Sequence, residues 1–346
     1  MRTIIFIFFL SIVLIPSISI KIFLVKYLSI IWFILYIMYV IYIYITKDKE
    51  YEKTYFNLYN KFIPNNRSCE TLGYLMNNKV TRKHFIACVI DLIRRKDIYV
   101  GTINNEIYLI DNKSNSDFLS KSDKFIKKFL FDNIGNGEYV SLTSIKNETK
   151  YNGGYFYSRL KEWYELVKID CARYNFFESK DDFIQKVFLY FSISFLLAVY
   201  NLFITHYILL SIIIILLIIV FLIYISSFYK RTKESSREYE EWVSFKNYLD
   251  NSKYLEKEKY DSNTIGLICV YSIVLKSFDK FNNIFVENDK NLFLKLYNLG
   301  LISRIVKELN NYLTYASFFN ISFTYNKGNN TLRRSTFNDK IKVIKE

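Results

Sequence analysis

The 346-residue chain is 51% hydrophobic and 19% aromatic yet holds only 9 Gly and 2 Pro, which excludes an intrinsically disordered polymer and a collagen-like or low-complexity scaffold. Its 47 Lys+Arg against 33 Asp+Glu leave a net charge of +14, which suits either an anionic partner or a membrane protein with basic cytoplasmic flanks. Ile, Lys, Asn, Tyr and Phe dominate together, as an AT-rich genome would supply whatever the function, so charge alone does not select nucleic acid. The cysteines, Cys69, Cys88, Cys171 and Cys269, are far apart and form no C-x-x-C, and the histidines are His84 and His206 alone. Neither a zinc spacing, nor a disulfide framework, nor a histidine-based metal centre is expected from this pattern, and no cofactor.

Two apolar blocks set the organisation. The first, Ile4 to Ile45, is interrupted by Pro16-Ser17-Ile18-Ser19, Lys21 and Lys26. It reads either as a cleaved signal followed by one helix or as a helical hairpin over about 3–20 and 23–45; Ile18 to Val25, which keeps the stretch mainly apolar up to the second helix, favours the hairpin. The second, Val187 to Tyr229, carries no charge between Lys186 and Lys230 and is predicted as a hairpin of spans 187–204 and 207–228 about Thr205-His206. Lys47, Lys49, Lys53, Lys180, Lys186, Lys230, Arg231, Lys233 and Arg237 flank these blocks. The positive-inside rule then places 47–186 and 230–346 on the cytoplasmic side of a bacterial plasma membrane, in a multi-pass protein. No Asp, Glu, Lys or Arg lies in mid-span of either hairpin, so anchoring is favoured over a solute path.

Within 47–186, Ser68 marks a helix start running through Leu72, Leu75 and Met76, Asn77-Asn78 a turn, and Thr81 the cap of a longer helix with Phe85, Ile86, Val89, Ile90, Leu92 and Ile93 on its core face. Alternation follows in Ile98–Thr102, a turn at Asn104-Asn105, then Ile107–Ile110. Helix, turn, helix and ribbon in this order is the plan of a winged helix over about 68–112. A second copy is expected over 122–175: a helix opened by Ser122-Asp123, a break at Gly135-Asn136-Gly137, a short helix at 143–148, and another from Tyr155 to Val167. The second helix of the first copy is expected to offer Arg82, Lys83, His84, Cys88, Asp91 and Arg95 to solvent. Arg82, Lys83, Arg94 and Arg95 are the candidate interaction surface. Asp91 in their midst and the lack of an Asn/Gln/Arg cluster aimed at base edges disfavour nucleic acid and favour a cytosolic or membrane protein partner.

The phrases Thr71-Leu72-Gly73-Tyr74-Leu75, Lys79-Val80 and Ala87–Arg95, then Glu241-Trp242, Phe245-Lys246, Tyr248-Leu249 and Val270–Leu275, resemble the cytoplasmic part of the YciQ-like predicted membrane proteins, domain of unknown function 2207. The resemblance covers roughly 68–280 and implies a soluble region, a membrane hairpin and a helical tail in that order, with no established activity. Two departures stand out. Only about 16–26 remains where the family carries a β-rich extracytoplasmic domain, and Lys96-Asp97 stands where a glycine commonly follows the Arg-Arg pair.

The last segment reads as a charged helix over 230–259, with Ser235–Glu238 and Glu256–Lys259 as solvated faces, then a buried helix at Ile265–Leu275 too short to span a bilayer. One or two further helices over 291–319 and a basic tail at 331–346 complete it. There is no P-loop, Rossmann glycine pattern, G-x-S-x-G or H-E-x-x-H, so no catalytic residue is assigned and a non-enzyme is expected. The fold class expected is a mainly α integral membrane protein: a membrane segment at 1–46, a cytoplasmic α+β domain of winged-helix type at 47–186, a hairpin at 187–229 and a helical domain at 230–346. The expected function is a membrane-tethered scaffold or regulator whose partners are the lipid bilayer and another protein. A nucleic-acid-binding regulator and a small-solute transporter or channel component are the alternatives.

Overall fold

A computed structural model describes residues 18–48, 51, 58–113, 119–178, 181–203, 208–227, 229–251, 261–283 and 299–318. The first span of the N-terminal block, the Thr205-His206 loop, the charged run Glu256–Lys259, the stretch 284–298 and the basic tail lie outside the described residues. In chain order the elements are α1 (Ile18–Ile43), α2 (Cys69–Asn77), α3 (Arg82–Arg94), β1 (Ile98–Ile103), β2 (Glu106–Asp111), α4 (Lys121–Lys127), β3 (Tyr139–Ser141), α5 (Leu142–Tyr151), α6 (Gly153–Ala172), α7 (Asp181–Phe203), α8 (Ile208–Ser227), α9 (Lys233–Asp250), α10 (Ser262–Val274), α11 (Phe278–Asn282) and α12 (Leu299–Phe318). The structure is thus mostly helical with one small sheet.

The chain divides into two compact units, Met1–Glu52 with Phe177–Lys233, and Lys53–Phe176 with Glu234–Glu346. In the first unit α1, α7 and α8 pack through aromatic rings and small residues. Trp32 Nε1 donates to Ser194 Oγ at 2.9 Å, and Tyr39 stacks on Tyr190 at 4.2 Å. Tyr36, Ile43, Val187 and Phe221 form one buried cluster, and Ala198, Ile214 and Ile218 another. Among the described residues one helical stretch, Tyr27–Thr46, is long and apolar enough to cross a membrane; Tyr190–Tyr200 and Ser211–Ile225 are shorter apolar runs. The outward faces of these helices are apolar, with Ile31, Ile34, Met38, Leu209 and Ile223 each more than half exposed.

The second unit gathers Lys53–Phe176 and Glu234–Glu346, so segments from both cytoplasmic regions expected from the sequence pack around α3. Ser68 caps α2, its Oγ accepting from Thr71 N–H, and Asn78 closes the helix at φ 52. The ribbon follows at the expected place: β1 and β2 pair antiparallel with Ile98 opposite Asp111 and Ile103 opposite Glu106. Asn104 and Asn105 both take positive φ (51 and 64), the geometry of a two-residue hairpin turn that matches strand twist. The second copy expected over 122–175 builds no sheet of its own. Its one strand among the described residues, β3, pairs with β2 (Leu109 opposite Val140), making a single sheet of order β1-β2-β3. Its helix start moves as well: the cap is Ser120, whose Oγ accepts from Asp123 N–H at 3.0 Å, and Ser122 lies inside α4.

Helix α6 inserts its periodic face as the spacing predicts. Phe156, Leu160, Trp163 and Val167 are buried, and Trp163 meets Phe85 of α3 edge to face at 5.3 Å. Helix α10 is a buried core helix. The stretch expected to be solvated on α9 is so only at Arg237: Ser235 and Ser236 are buried, and Glu238 accepts from both Arg67 Nε (2.8 Å) and Nη2 (2.9 Å). The physical reason is that the segment before α2 runs along α9, where Asn60 N–H donates to Ser244 O and Asn247 Nδ2 to Leu58 O.

Candidate functional site

Helix α3 carries most of the residues singled out in the sequence. At its start the Thr81 N–H donates to His84 Nδ1 at 3.0 Å, the histidine filling the place that Glu or Gln takes in a capping box. The His84 ring lies against Gly73 of α2 so closely that a Cβ there would stand 2.6 Å from three ring atoms. Burial, with Lys276 and Lys83 nearby, pushes the imidazole down to about 4, so it is neutral at pH 7. The expectation that His84 and Cys88 face solvent is therefore corrected: each is 1% exposed. The α3 sequence offers a polar face, but α10 and α12, from a distant part of the chain, pack onto the helix as well as α2 and β1.

The four basic residues named as an interaction surface form two separate pairs at opposite ends of α3, roughly 18 Å apart at 1.5 Å per residue. Arg82 and Lys83 are half-buried at its start. Arg94 donates from Nε to Asp91 Oδ1 at 2.8 Å and from Nη1 to Asn263 Oδ1 of α10 at 3.2 Å. Arg95 stands within ion-pair distance of Asp91 (3.1 Å), Asp97 (3.5 Å) and Asp123 (2.9 Å). Burial works against its charge, but Asp123 and Asp91 outweigh burial and hold the guanidinium protonated. These two arginines tie α3 to its own neighbours.

Lys96 follows at φ 63, in the left-handed region that a glycine enters without cost, and its N–H and that of Asp97 close the helix onto Ile93 O and Leu92 O. This is the position where the resemblance puts glycine.

On the inner side of the α2–α3 hairpin a second group assembles, one that linear spacing does not reveal. Cys69 Sγ and Cys88 Sγ lie 3.1 Å apart, and Glu70 Oε2 sits 3.5 Å from the first and 3.3 Å from the second. Ser122 Oγ of α4 donates to the other oxygen, Glu70 Oε1, at 3.0 Å. All three donor side chains are buried. Contact with Cys88 pulls the Cys69 thiol down, but burial and the charge of Glu70 prevail and raise it to about 12; burial raises Cys88 as well. Burial, then the charge of Asp123, raises the Glu70 carboxyl. Buried thiols raised in this way are poor nucleophiles. What the arrangement offers chemically is three convergent ligand atoms. The cysteines are 19 positions apart, so only folding of the helix hairpin brings them together; the one sequence signal is an acidic residue beside a cysteine at the start of a short helix.

A family profile described as predicted membrane protein (DUF2207) C-terminal domain matches residues 56–276. The match spans more than half of the chain and takes in the α2–α3 hairpin, the sheet, and α7 to α10; the chain belongs to this family of predicted membrane proteins. No curated protein and no solved structure matches it.

Proposed function

We propose that the protein is a membrane-anchored, non-enzymatic scaffold or regulator. In this reading it is multi-pass in the bacterial plasma membrane, with 47–186 and 230–346 in the cytoplasm and a unit of winged-helix type over about 68–112 used for protein contact. One observation carries the choice of partner: the helix that would enter a DNA groove is covered by the chain's own α10 and α12, and Arg94 and Arg95 are engaged by Asp91, Asp97, Asp123 and Asn263. A reader of base edges needs that helix free. The basic flanks and the apolar outer faces of α1, α7 and α8 support the membrane part of the reading. The exposed Tyr151 and Ile169, on α5 and α6, are apolar side chains available to a partner.

The test is proximity labelling from the C-terminal segment in the native host, with topology reporters fused at positions 120 and 340. A small reproducible set of cytosolic or envelope proteins, and cytoplasmic signals from both reporters, are the expected results. Dominance of nucleoid proteins with salt-sensitive DNA binding would replace the scaffold reading by the nucleic-acid alternative. A reporter signal outside the cytoplasm at either position would overturn the topology.

A further inference from the structure

We propose that Cys69, Cys88 and Glu70 form a binding site for one thiophilic divalent cation, zinc(II) in the first place, an assignment that stands apart from the scaffold reading. Three donors of the kind zinc takes, two sulfurs and a carboxylate oxygen, converge from two helices within 4.8 Å of one another. The distances can be compared with a tetrahedral centre. Bonds of about 2.3 Å to sulfur and about 2.0–2.2 Å to oxygen put sulfur and oxygen about 3.5 Å apart and the two sulfurs about 3.7 Å apart. The observed sulfur–oxygen separations of 3.3 and 3.5 Å already fit, and the sulfurs, at 3.1 Å, need to part by roughly 0.6 Å.

The second observation is the state of the carboxylate. Glu70 is buried, and among the described residues no Lys, Arg or His pairs with it; its side-chain partners are the two thiols and the Ser122 hydroxyl. A buried carboxylate without a cation is costly, and burying two thiolates beside it would be more so unless a metal supplied the charge. The charged side chain that acts on Glu70, Asp123, has the same sign, and Asp123 is itself paired with Arg95. Ser122 holds the free carboxylate oxygen, as partners of metal ligands commonly do, and so fixes which oxygen faces the sulfurs. Binding exchanges the two thiol protons for the metal, with no change of oxidation state. Two thiolates select zinc over magnesium or calcium, and the carboxylate weighs against copper(I). The ion would pin the start of α2 to the middle of α3, a cross-link inside the soluble core.

The full chain, purified in detergent under reducing conditions, is analysed for zinc per chain, then depleted and titrated with cobalt(II). The expected result is close to one zinc per chain and, with cobalt(II), the intense visible bands of a tetrahedral thiolate centre. Glu70→Gln should weaken binding at least tenfold while leaving a thiolate–cobalt spectrum, and Cys88→Ser should abolish the two-sulfur spectrum. Cys269→Ser, a buried cysteine on α10, should change neither. Should C88S fail to accumulate, the comparison of E70Q with wild type decides. Absence of bound zinc together with absence of a cobalt–thiolate band in depleted, folded protein overturns the proposal. So does a Cys69–Cys88 disulfide in freshly isolated protein, found by non-reducing peptide mapping.

Discussion

Substituting Gly73 by alanine tests the packing at the centre of the α2–α3 hairpin. In an unobstructed helix interior the change gains about 1 kcal/mol, because alanine is the better helix former. Here the new Cβ would lie 2.6 Å from Cδ2, Cε1 and Cγ of His84, a ring that is 1% exposed and held by the Thr81 N–H. The ring must move, which carries the ~1–3 kcal/mol of an overpacked core and the ~1 kcal/mol of a lost cap. The net is a destabilisation of about 2 kcal/mol, which for a unit of this size lowers the melting temperature by about 4–8 °C. Thermal unfolding of the full chain in detergent, followed by tryptophan fluorescence, reads it. In a His84→Ala background the same Gly73→Ala change should reverse sign and stabilise, giving a coupling of ~2 kcal/mol or more between the two sites. A neutral or stabilising effect of G73A in the wild-type background would refute the close approach and the account of the cap built on it.

The remaining predictions address the other devices of the α3 region. His84 titrates near 4 in the fold against about 6.5 when unfolded, so the unfolded chain takes up the proton first as pH falls. Stability is therefore lost between about pH 6.5 and 4, by up to about 3 kcal/mol, and His84→Gln, which keeps an acceptor for Thr81, should flatten the difference in melting temperature between pH 7.5 and 5. Lys96→Gly should stabilise by about 0.5–1 kcal/mol, since Lys96 occupies the left-handed region at φ 63; a loss measured by the same melt would mean that the lysine side chain matters more than its backbone. Arg95→Met leaves Asp97 and Asp123 without the guanidinium they share, while Asp91 keeps Arg94, and should cost about 2 kcal/mol, less than a fully buried pair because Arg95 is partly exposed; an unchanged melt would show that those carboxylates find other partners. Trp163→Ala should cost about 3–5 kcal/mol, seen as poor accumulation of folded chain, because the ring is fully buried against Phe85.

Much of the architecture is local in origin and legible without coordinates. The caps at Ser68 and Thr81, the stripe Phe85–Leu92, the Asn104-Asn105 turn and the Phe156–Val167 face all follow from hydrogen-bonding capacity and from the 3.6- and 2-residue periods of a single segment. The membrane character is likewise compositional: an uninterrupted apolar run of sufficient length, Tyr27–Thr46, bounded by lysines.

What the linear pattern misjudged depends on segments that meet only in the fold. His84 and Cys88 looked solvent-facing because a histidine and a cysteine lie opposite the apolar stripe of α3; in the fold the His84 ring lies against Gly73 and Cys88 against Cys69 and Glu70, all of α2. Ser235, Ser236 and Glu238 looked solvated, yet both serines are buried and Arg67 and Asn65 hold the Glu238 carboxylate. The strand β3 was too short for alternation to reveal, and it exists because β2 has an edge to pair. Composition and period thus determined, from the sequence alone, that this is a largely helical membrane protein and which stretches form its main helices. The tertiary structure alone decided which polar residues are buried, which arginines are engaged, and that Cys69, Glu70 and Cys88 meet. Burial and ligand convergence depend on through-space neighbours, and those are set by how the helices pack rather than by any residue's place in the chain.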